Sequence, residues 1–343
     1  MPISKKRTYI LVGGVVVVIA VGFLLSRYGG NNIQINNVNN SAGDNTNQKT
    51  ANMISNKSGI SSLAGITCET YDTRPFAVMI SSDAIARPLS GIGEADMVFE
   101  MPVVPNGFTR MMAVYQCGRP KEVGSVRSAR LDFVPLALGL NVIYAHFGGE
   151  ETVLAELNNG IINNIDGLKY DGTIYYRKPN IPKPHNAFTN FTLLDQVSKD
   201  LGYNLTDAKV NYPHESQSKS QGSVSPQPVF ATDFEVDWKY QASTNSYFRT
   251  RSGSPEIDKN TSKQVEAKNV IIMKTTSSPM SKDYIRVKVT GTGGLLVYKD
   301  GTVISGTWEK KDDNAKLTFY DQNHKEIPLA IGSTWVEISA PQP

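Results

Sequence analysis

The longest apolar stretch of the chain lies near its start, directly after a basic cluster. Residues 8–26 are nineteen consecutive positions without a charge. As a helix they would span about 28 Å, at about 1.5 Å per residue, close to one hydrocarbon core. Lys5, Lys6 and Arg7 precede them, and the positive-inside rule places such residues in the cytoplasm. The pattern therefore predicts a cytoplasmic tail at 1–7, a single-pass transmembrane signal anchor at 8–26 and an extracytoplasmic remainder.

Two other interpretations of this stretch stay open. A cleaved secretory signal has a shorter apolar region and a small-residue cleavage site, whereas this run is long and has no such site. A buried core helix would not need the basic cluster. Lipid attachment would require a cysteine just after the apolar run, but the two cysteines are Cys68 and Cys117. The asparagine-rich stretch 27–64 is too polar to form a core and predicts a flexible tether.

Four nearly continuous apolar runs follow, a pattern typical of strands covered on both faces. They are accompanied by helical patterns at 151–158 and 189–201, each of which ends close to a glycine. Together they predict an α/β-type domain with a mixed sheet at 65–207. The predicted strands are 75–81, 95–100, 109–115 and 141–147.

The second half of the chain has shorter runs, many of which alternate between apolar and polar residues. A stretch rich in Ser, Gln and Pro predicts a linker at 208–229, and 230–341 is then predicted to be a mainly β domain. Lys299 to Thr302 is typical of a hairpin turn. The fold class of the whole chain is therefore α+β. The predicted strands of this domain are 234–238, 246–250, 270–274, 284–289, 295–298, 306–308, 317–320 and 334–338.

Composition narrows the classes of function. The formal net charge is +3, and Lys5, Lys6 and Arg7 supply three positive charges, so the rest of the chain is neutral. This balance argues against a nucleic-acid binder. A hydrophobic share of 40% and an aromatic share of 9% are enough for packed cores. Four aromatic residues either stack on sugar rings or fill the core of the second domain: Trp238, Tyr247, Trp308 and Trp335.

Arginines are concentrated in the first domain, and arginine is suited to bidentate capture of phosphate or carboxylate. Arg127 and Arg130 are three residues apart before a predicted helix, where both would lie on one face. We expect Arg87 and Arg110 to join them in an anion-binding cleft. The alternative is internal ion pairing with carboxylates of the same domain, namely Glu94, Asp96, Glu100 and Asp132.

A histidine next to two glycines is predicted to lie at the same cleft. His146 ends a predicted strand, and Gly148 and Gly149 allow a ligand to approach the backbone. His146 would serve as a general base or an anion donor, and Asp96 is the other acid/base candidate. The alternative is a half-buried histidine bonded to the backbone.

Further polar residues leave alternatives open. His185 and Asn186 lie in a Pro-rich loop and either close over the cleft or only fix the course of the chain. Cys68 and Cys117 either form one disulfide or stay reduced, depending on the compartment. No cofactor or metal is predicted, because Cys and His are not clustered. Three carboxylates form either a cation site or ordinary ion pairs: Asp83, Asp96 and Glu100.

Several short motifs form a set from residue 70 to the end of the chain. They are ARPLSG at 86–91, EADMVFE at 94–100, FTRMMA at 108–113, VGSVRSAR at 123–130, PHNAFT at 184–189, KNVII at 268–272 and GTVISGTWEK at 301–310. The set resembles the YerB family of bacterial lipoprotein-type proteins. The resemblance implies a two-domain envelope protein and transfers no activity. The chain departs from the family pattern in two ways. It lacks the lipobox cysteine, and Pro135 falls where a helix is expected to continue.

Three hypotheses of function follow. The first is a membrane-anchored envelope protein that binds an anionic cell-envelope ligand through an arginine-lined cleft. The second is an enzyme for phosphoryl transfer or hydrolysis on envelope polymers or lipid-linked precursors, with His146 or Asp96 as acid/base. The third is a structural ectodomain that binds an envelope protein partner. Arginines that stay unpaired in an open cleft would favour the first two hypotheses.

Overall fold

A ten-stranded mixed sheet runs through the computed structural model, which describes residues 58–341 apart from 106, 209, 217–219 and 231. In chain order the strands are β1 Phe76–Ser81, β2 Met97–Pro102, β3 Thr109–Tyr115, β4 Ile143–His146, β5 Asn164–Asp166, β6 Asn269–Lys274, β7 Gly291–Lys299, β8 Thr302–Lys310, β9 Thr318–Asp321 and β10 Thr334–Ser339. The order across the sheet is β9-β8-β7-β6-β10-β2-β3-β1-β4-β5. The mixed sheet and the mainly β second half are confirmed.

Helices are few and short among the residues that the structure describes. They are α1 Val134–Gly139, α2 Glu151–Asn158 and α3 Phe191–Asp200. Pro135 lies in the first turn of α1, where its missing N–H is not needed, so it begins this helix rather than interrupting one. Four 3₁₀ turns are also present: Ala84–Ala86, Ile92–Glu94, Leu131–Phe133 and Thr232–Phe234.

Smaller ladders surround the main sheet. Three of them are pairs of short strands: Gly59–Ile60 with Thr67–Cys68, His214–Glu215 with Leu329–Ala330, and Ser277–Pro279 with Ile285–Val287. In a fourth, Ala187–Thr189 pairs with Val123–Gly124 and Tyr176–Arg177. In a fifth, Ser246–Arg251 pairs with Val236–Gln241, Ser254–Pro255 and Glu266–Ala267. The hairpin predicted at Lys299 to Thr302 joins β7 to β8, with positive φ angles at Asp300 and Gly301.

Both faces of the sheet are covered, which explains the continuous apolar runs of the first segment. Every residue of β1 and β3 is buried. Phe99 and Trp308 belong to the core on one face, and Phe76 and Trp335 belong to the core on the other. The aromatic residues considered for sugar stacking are buried instead and fill these cores: Trp238, Tyr247, Trp308 and Trp335.

The two sequence segments meet between β2 and β10, in the middle of the sheet. These strands are parallel, and Glu337 of β10 lies opposite Glu100 of β2. Both carboxylates are fully buried, and their mutual repulsion is offset by Arg249 and Arg251. The Arg249 guanidinium bonds to Glu100, to Glu337 and, at 2.6 Å, to Glu256. It therefore links a carboxylate of the first segment to two of the second.

The stretch predicted as a linker is attached to this body where it is described. Val210 and Tyr212 are buried, and the Tyr212 hydroxyl donates to the Leu317 carbonyl at 2.9 Å. The described residues between 58 and 341 belong to one compact unit.

The predicted membrane anchor at 8–26 and most of the tether at 27–64 lie outside the described residues. Within the described part of the chain, no helix is long and apolar enough to cross a bilayer.

We expect Arg249→Met to lower the free energy of unfolding by about 3–5 kcal/mol, because it leaves Glu100 and Glu337 buried without their shared cation. Lys316→Met is the control, since the pair of Lys316 with Glu326 is partly exposed and should be worth at most about 1 kcal/mol. Urea unfolding of both variants measures the difference. Equal losses would contradict the role given to Arg249.

Candidate functional site

Three of the four arginines predicted for an anion site meet in one open cleft of about 430 Å³. Arg110 lies in β3, Arg127 follows the short strand Val123–Gly124, and Arg130 precedes the 3₁₀ turn at 131–133. Asp83 lies beside them. The remaining walls are Val104, Pro105, Phe108, Lys282, Asp283 and Tyr284.

These guanidinium groups are not neutralised by carboxylates in the way Arg249 is. Arg110 is only 4% exposed, yet its Nε and Nη1 have no hydrogen-bond partner among the described residues. Arg127 Nη1 lies 3.3 Å from His185 Nδ1, and Arg130 Nη1 donates to the Ala129 carbonyl at 2.9 Å. A buried donor without an acceptor is costly, so an acceptor from outside the chain would be favoured here.

The electrostatics of the cleft also favour binding of an anion. Burial, together with the charges of Arg127 and Arg130, lowers the pKa of Arg110 to about 9. Burial also lowers the pKa of Arg127, although Asp83 acts in the opposite direction. Because a bound anion would favour the charged form of each arginine, binding of an anion and protonation of these groups reinforce each other.

Asp83 and His185 lie beside the arginines of the cleft. Ser81 Oγ donates to Asp83 Oδ2 at 2.6 Å. Burial opposes ionisation of Asp83, but this bond and the charges of Arg110 and Arg127 hold the pKa of Asp83 below its usual value. His185 Nδ1 lies 3.6 Å from Asp83 Oδ2. Burial and Arg127 lower the pKa of His185, so its neutral ring can accept a hydrogen bond from Arg127.

His146 and the glycines after it lie outside the cleft. His146 is fully buried, with Nδ1 2.8 Å from the Gly148 carbonyl and Nε2 3.3 Å from Asn164 Oδ1. Burial lowers the pKa of His146. The Gly148 carbonyl also accepts from Ala129 N–H at 2.9 Å, and Gly149 forms a β-bridge with Ala129. These residues therefore hold the chain next to Arg130 rather than contact a ligand in the cleft.

Asp96 also lies away from the cleft. Its Oδ2 accepts backbone N–H groups from Gln116, Cys117 and Gly118, and burial raises its pKa. The other carboxylates considered as partners for the cleft arginines bond elsewhere: Glu94 to Asn260, Glu100 to Arg249 and Arg251, and Asp132 to Arg286.

Arg87 and Asn186 have separate surroundings. Arg87 donates to the Ser82 carbonyl and lines a different cavity of about 460 Å³. Asn186 Oδ1 accepts from Arg177 at 2.9 Å. A larger cavity of about 630 Å³ lies beside Arg119, but Arg119 is paired with Asp195 at 3.0 Å.

Part of the cleft comes from residues that the sequence did not indicate. Tyr284 and Lys282 lie in the turn between Ser277–Pro279 and Ile285–Val287, and the Tyr284 ring stacks 5.0 Å from the Arg130 guanidinium. Phe108 is 45% exposed on another wall. Ser81, which donates to Asp83 beside the cleft, could be recognised in the sequence only as a polar residue at the end of an apolar strand.

Cys68 and Cys117 are joined by a disulfide in the structure, with their Cα atoms 5.8 Å apart. The bond connects the short strand Thr67–Cys68 to the chain just after β3. Clusters of His, Cys, Asp and Glu suited to a metal ion are not found among the residues that the structure describes.

Two family models match the chain in succession. The N-terminal domain of "Protein of unknown function (DUF3048)" matches residues 61–204, and its C-terminal domain matches residues 227–336. The chain belongs to this family.

A curated relative and a solved structure agree with this assignment. "Putative lipoprotein YerB" of Bacillus subtilis (strain 168) is 28% identical over 284 residues, which are 80% of this chain and 85% of the relative. The crystal structure of YerB protein from Bacillus subtilis matches with a TM-score of 0.72 and 26% identity, over 81% of this chain and 96% of that chain. The resemblance to the YerB family is confirmed.

We expect the double variant Arg127→Ala, Arg130→Ala to change the free energy of unfolding by less than about 1.5 kcal/mol without ligand. Asp83 keeps its hydrogen bond from Ser81 and the nearby charge of Arg110, and the variant removes positive charge beside Arg110. Urea unfolding in phosphate-free buffer gives the value. A loss as large as that expected for Arg249→Met would instead make these arginines structural.

Proposed function

We propose that the protein is an extracytoplasmic envelope protein that binds an anionic cell-envelope ligand in the cleft of Arg110, Arg127 and Arg130. The observation that supports this most is the buried Arg110 guanidinium, two nitrogens of which have no hydrogen-bond partner among the described residues while the charges of Arg127 and Arg130 lie near it. The lipoprotein name of the curated relative supports an envelope location.

Binding is better supported than catalysis by the positions of the predicted residues. The acid/base candidates His146 and Asp96 are both held in hydrogen bonds away from the cleft. The arginines, in contrast, come from β3 and from the segment between Val123–Gly124 and the 3₁₀ turn at 131–133, and they line one opening. Unpaired donors around an open space are suited to holding a charged group, so a purely structural role is also less well supported.

Inorganic phosphate tests the anion site directly. At matched ionic strength, we expect phosphate to raise the melting temperature of the full chain, because a ligand that binds only the folded state stabilises it. Arg110→Gln should remove this shift, whereas Arg119→Gln, in the separate cavity, should keep it. Differential scanning fluorimetry measures the shifts. An unchanged shift in Arg110→Gln, or none in the unmodified protein, would contradict the proposal.

The proposed anchor at 8–26 would place the cleft outside the cytoplasm, and a protease tests this orientation. A specific cleavage site inserted within 27–57 should be cut when the matching protease is added to intact spheroplasts, so that the folded part is released. A cytoplasmic protein with the same site serves as control and should stay intact. If both proteins resist cleavage until the cells are lysed, the orientation is wrong.

A further inference from the structure

The charges inside the cleft restrict the anion that it would bind. Arg110, Arg127 and Arg130 line the opening together with Asp83, so the inner wall has two more positive than negative side chains. Lys282 and Asp283 also line it, but both are exposed and of opposite sign, so they are screened by solvent and nearly cancel. A singly charged ligand would leave one positive charge without compensation around a desolvated arginine.

The donors also differ in depth and direction. Arg110 is 4% exposed at the base, and its Nε and Nη1 need acceptors. Arg127 contacts the His185 ring, and Arg130 contacts the Ala129 carbonyl and the Tyr284 ring. A carboxylate or a phosphodiester has two charged oxygens, whereas a terminal phosphate has three strong acceptor oxygens and a charge close to −2 at neutral pH.

We propose that the cleft recognises the doubly charged terminal phosphate of a phosphomonoester; this rests on the proposed function and specifies its ligand. Arg110 binds one phosphate oxygen at the base, while Arg127 and Arg130 bind the other two from the sides. The ester oxygen then points to the opening.

The ester substituent would lie against the outer walls. Phe108 is 45% exposed there, next to Val104 and Pro105, and the Tyr284 ring faces Arg130. An apolar strip beside a phosphate site accepts either a small soluble phosphate or the first atoms of a lipid with a terminal phosphate. The two sources share the phosphate chemistry, and the outer wall distinguishes them.

Calorimetric titration of the full chain in a mild non-ionic detergent compares ligands that differ in one feature. Methyl phosphate is a dianion at pH 7.5, dimethyl phosphate is a monoanion of nearly the same shape, and acetate is a carboxylate. We expect methyl phosphate to bind at least about tenfold more tightly than either of the others, a difference of about 1.4 kcal/mol. Glycerol 3-phosphate and dihexanoyl phosphatidic acid then distinguish the two sources of phosphate. If the lipid binds more tightly and Phe108→Ser removes this advantage, the ligand is a lipid headgroup. If the two bind equally, the ligand is a soluble ester.

Arg110→Gln should abolish the preference for methyl phosphate over dimethyl phosphate, because it removes the charge at the base. Arg130→Gln is a second variant in case Arg110→Gln does not fold, and Arg130 is the more accessible of the two. Arg119→Gln, outside the cleft, should keep the preference.

Two outcomes separate failure of this proposal from failure of the anion site itself. In the first, dimethyl phosphate or acetate binds as tightly as methyl phosphate, and Arg110→Gln abolishes binding of both ligands. The anion site would then stand, and the preference for a dianion would be overturned. Absence of binding by every probe, including inorganic phosphate, would overturn both.

Discussion

The structure depends on the neutralisation of two carboxylates at the centre of its sheet. Glu100 and Glu337 lie opposite each other across β2 and β10, both without exposure to solvent. Placing two such charges together in a low-dielectric interior is unfavourable unless a cation bonds to both. Arg249 does so, and Arg251 adds a bond to Glu100 at 2.6 Å. These arginines therefore stabilise the parallel pairing that joins the two halves of the chain.

Two arginines on opposite faces of this sheet, Arg249 and Arg110, have opposite electrostatic surroundings. Arg249 is surrounded by carboxylates, and its charge is compensated within the protein. Arg110 projects to the other face, since it is next to Met111 in β3 and Met111 contacts Arg251. There it has arginine neighbours and little compensation. An arginine whose charge is compensated by carboxylates of the protein stabilises the fold, whereas one with little such compensation is available to an anionic ligand.

Local structure could be predicted from the sequence, and long-range structure could not. Apolar periodicity and turn residues, which act over a few positions, predict α2, α3, the hairpin at 299–302 and the strands of the main sheet apart from β5. The pairing of β10 with β2 joins residues far apart in the chain, and the alternating pattern of a strand does not specify its partner. The same limit applies to the site. Arg127 and Arg130 were predicted to share one face at the start of a helix, but they lie in irregular chain before a 3₁₀ turn, and Tyr284 contacts Arg130 only through tertiary structure. For His146 the structure agrees with the alternative of a histidine bonded to the backbone, because its ring bonds to the turn that follows it.

The position of β10 has a consequence for how the protein is made. This strand is the last along the described chain, yet it lies in the middle of the sheet between β6 and β2. Until it has been synthesised, β2 has an open and largely apolar edge, of the kind that pairs with other chains. The ribosome must therefore synthesise the chain as far as Ser339 before the sheet can close, which leaves the nascent chain accessible to chaperones until then. A messenger truncated shortly before the codons of this strand would yield a product for proteolysis and not a shortened, working protein.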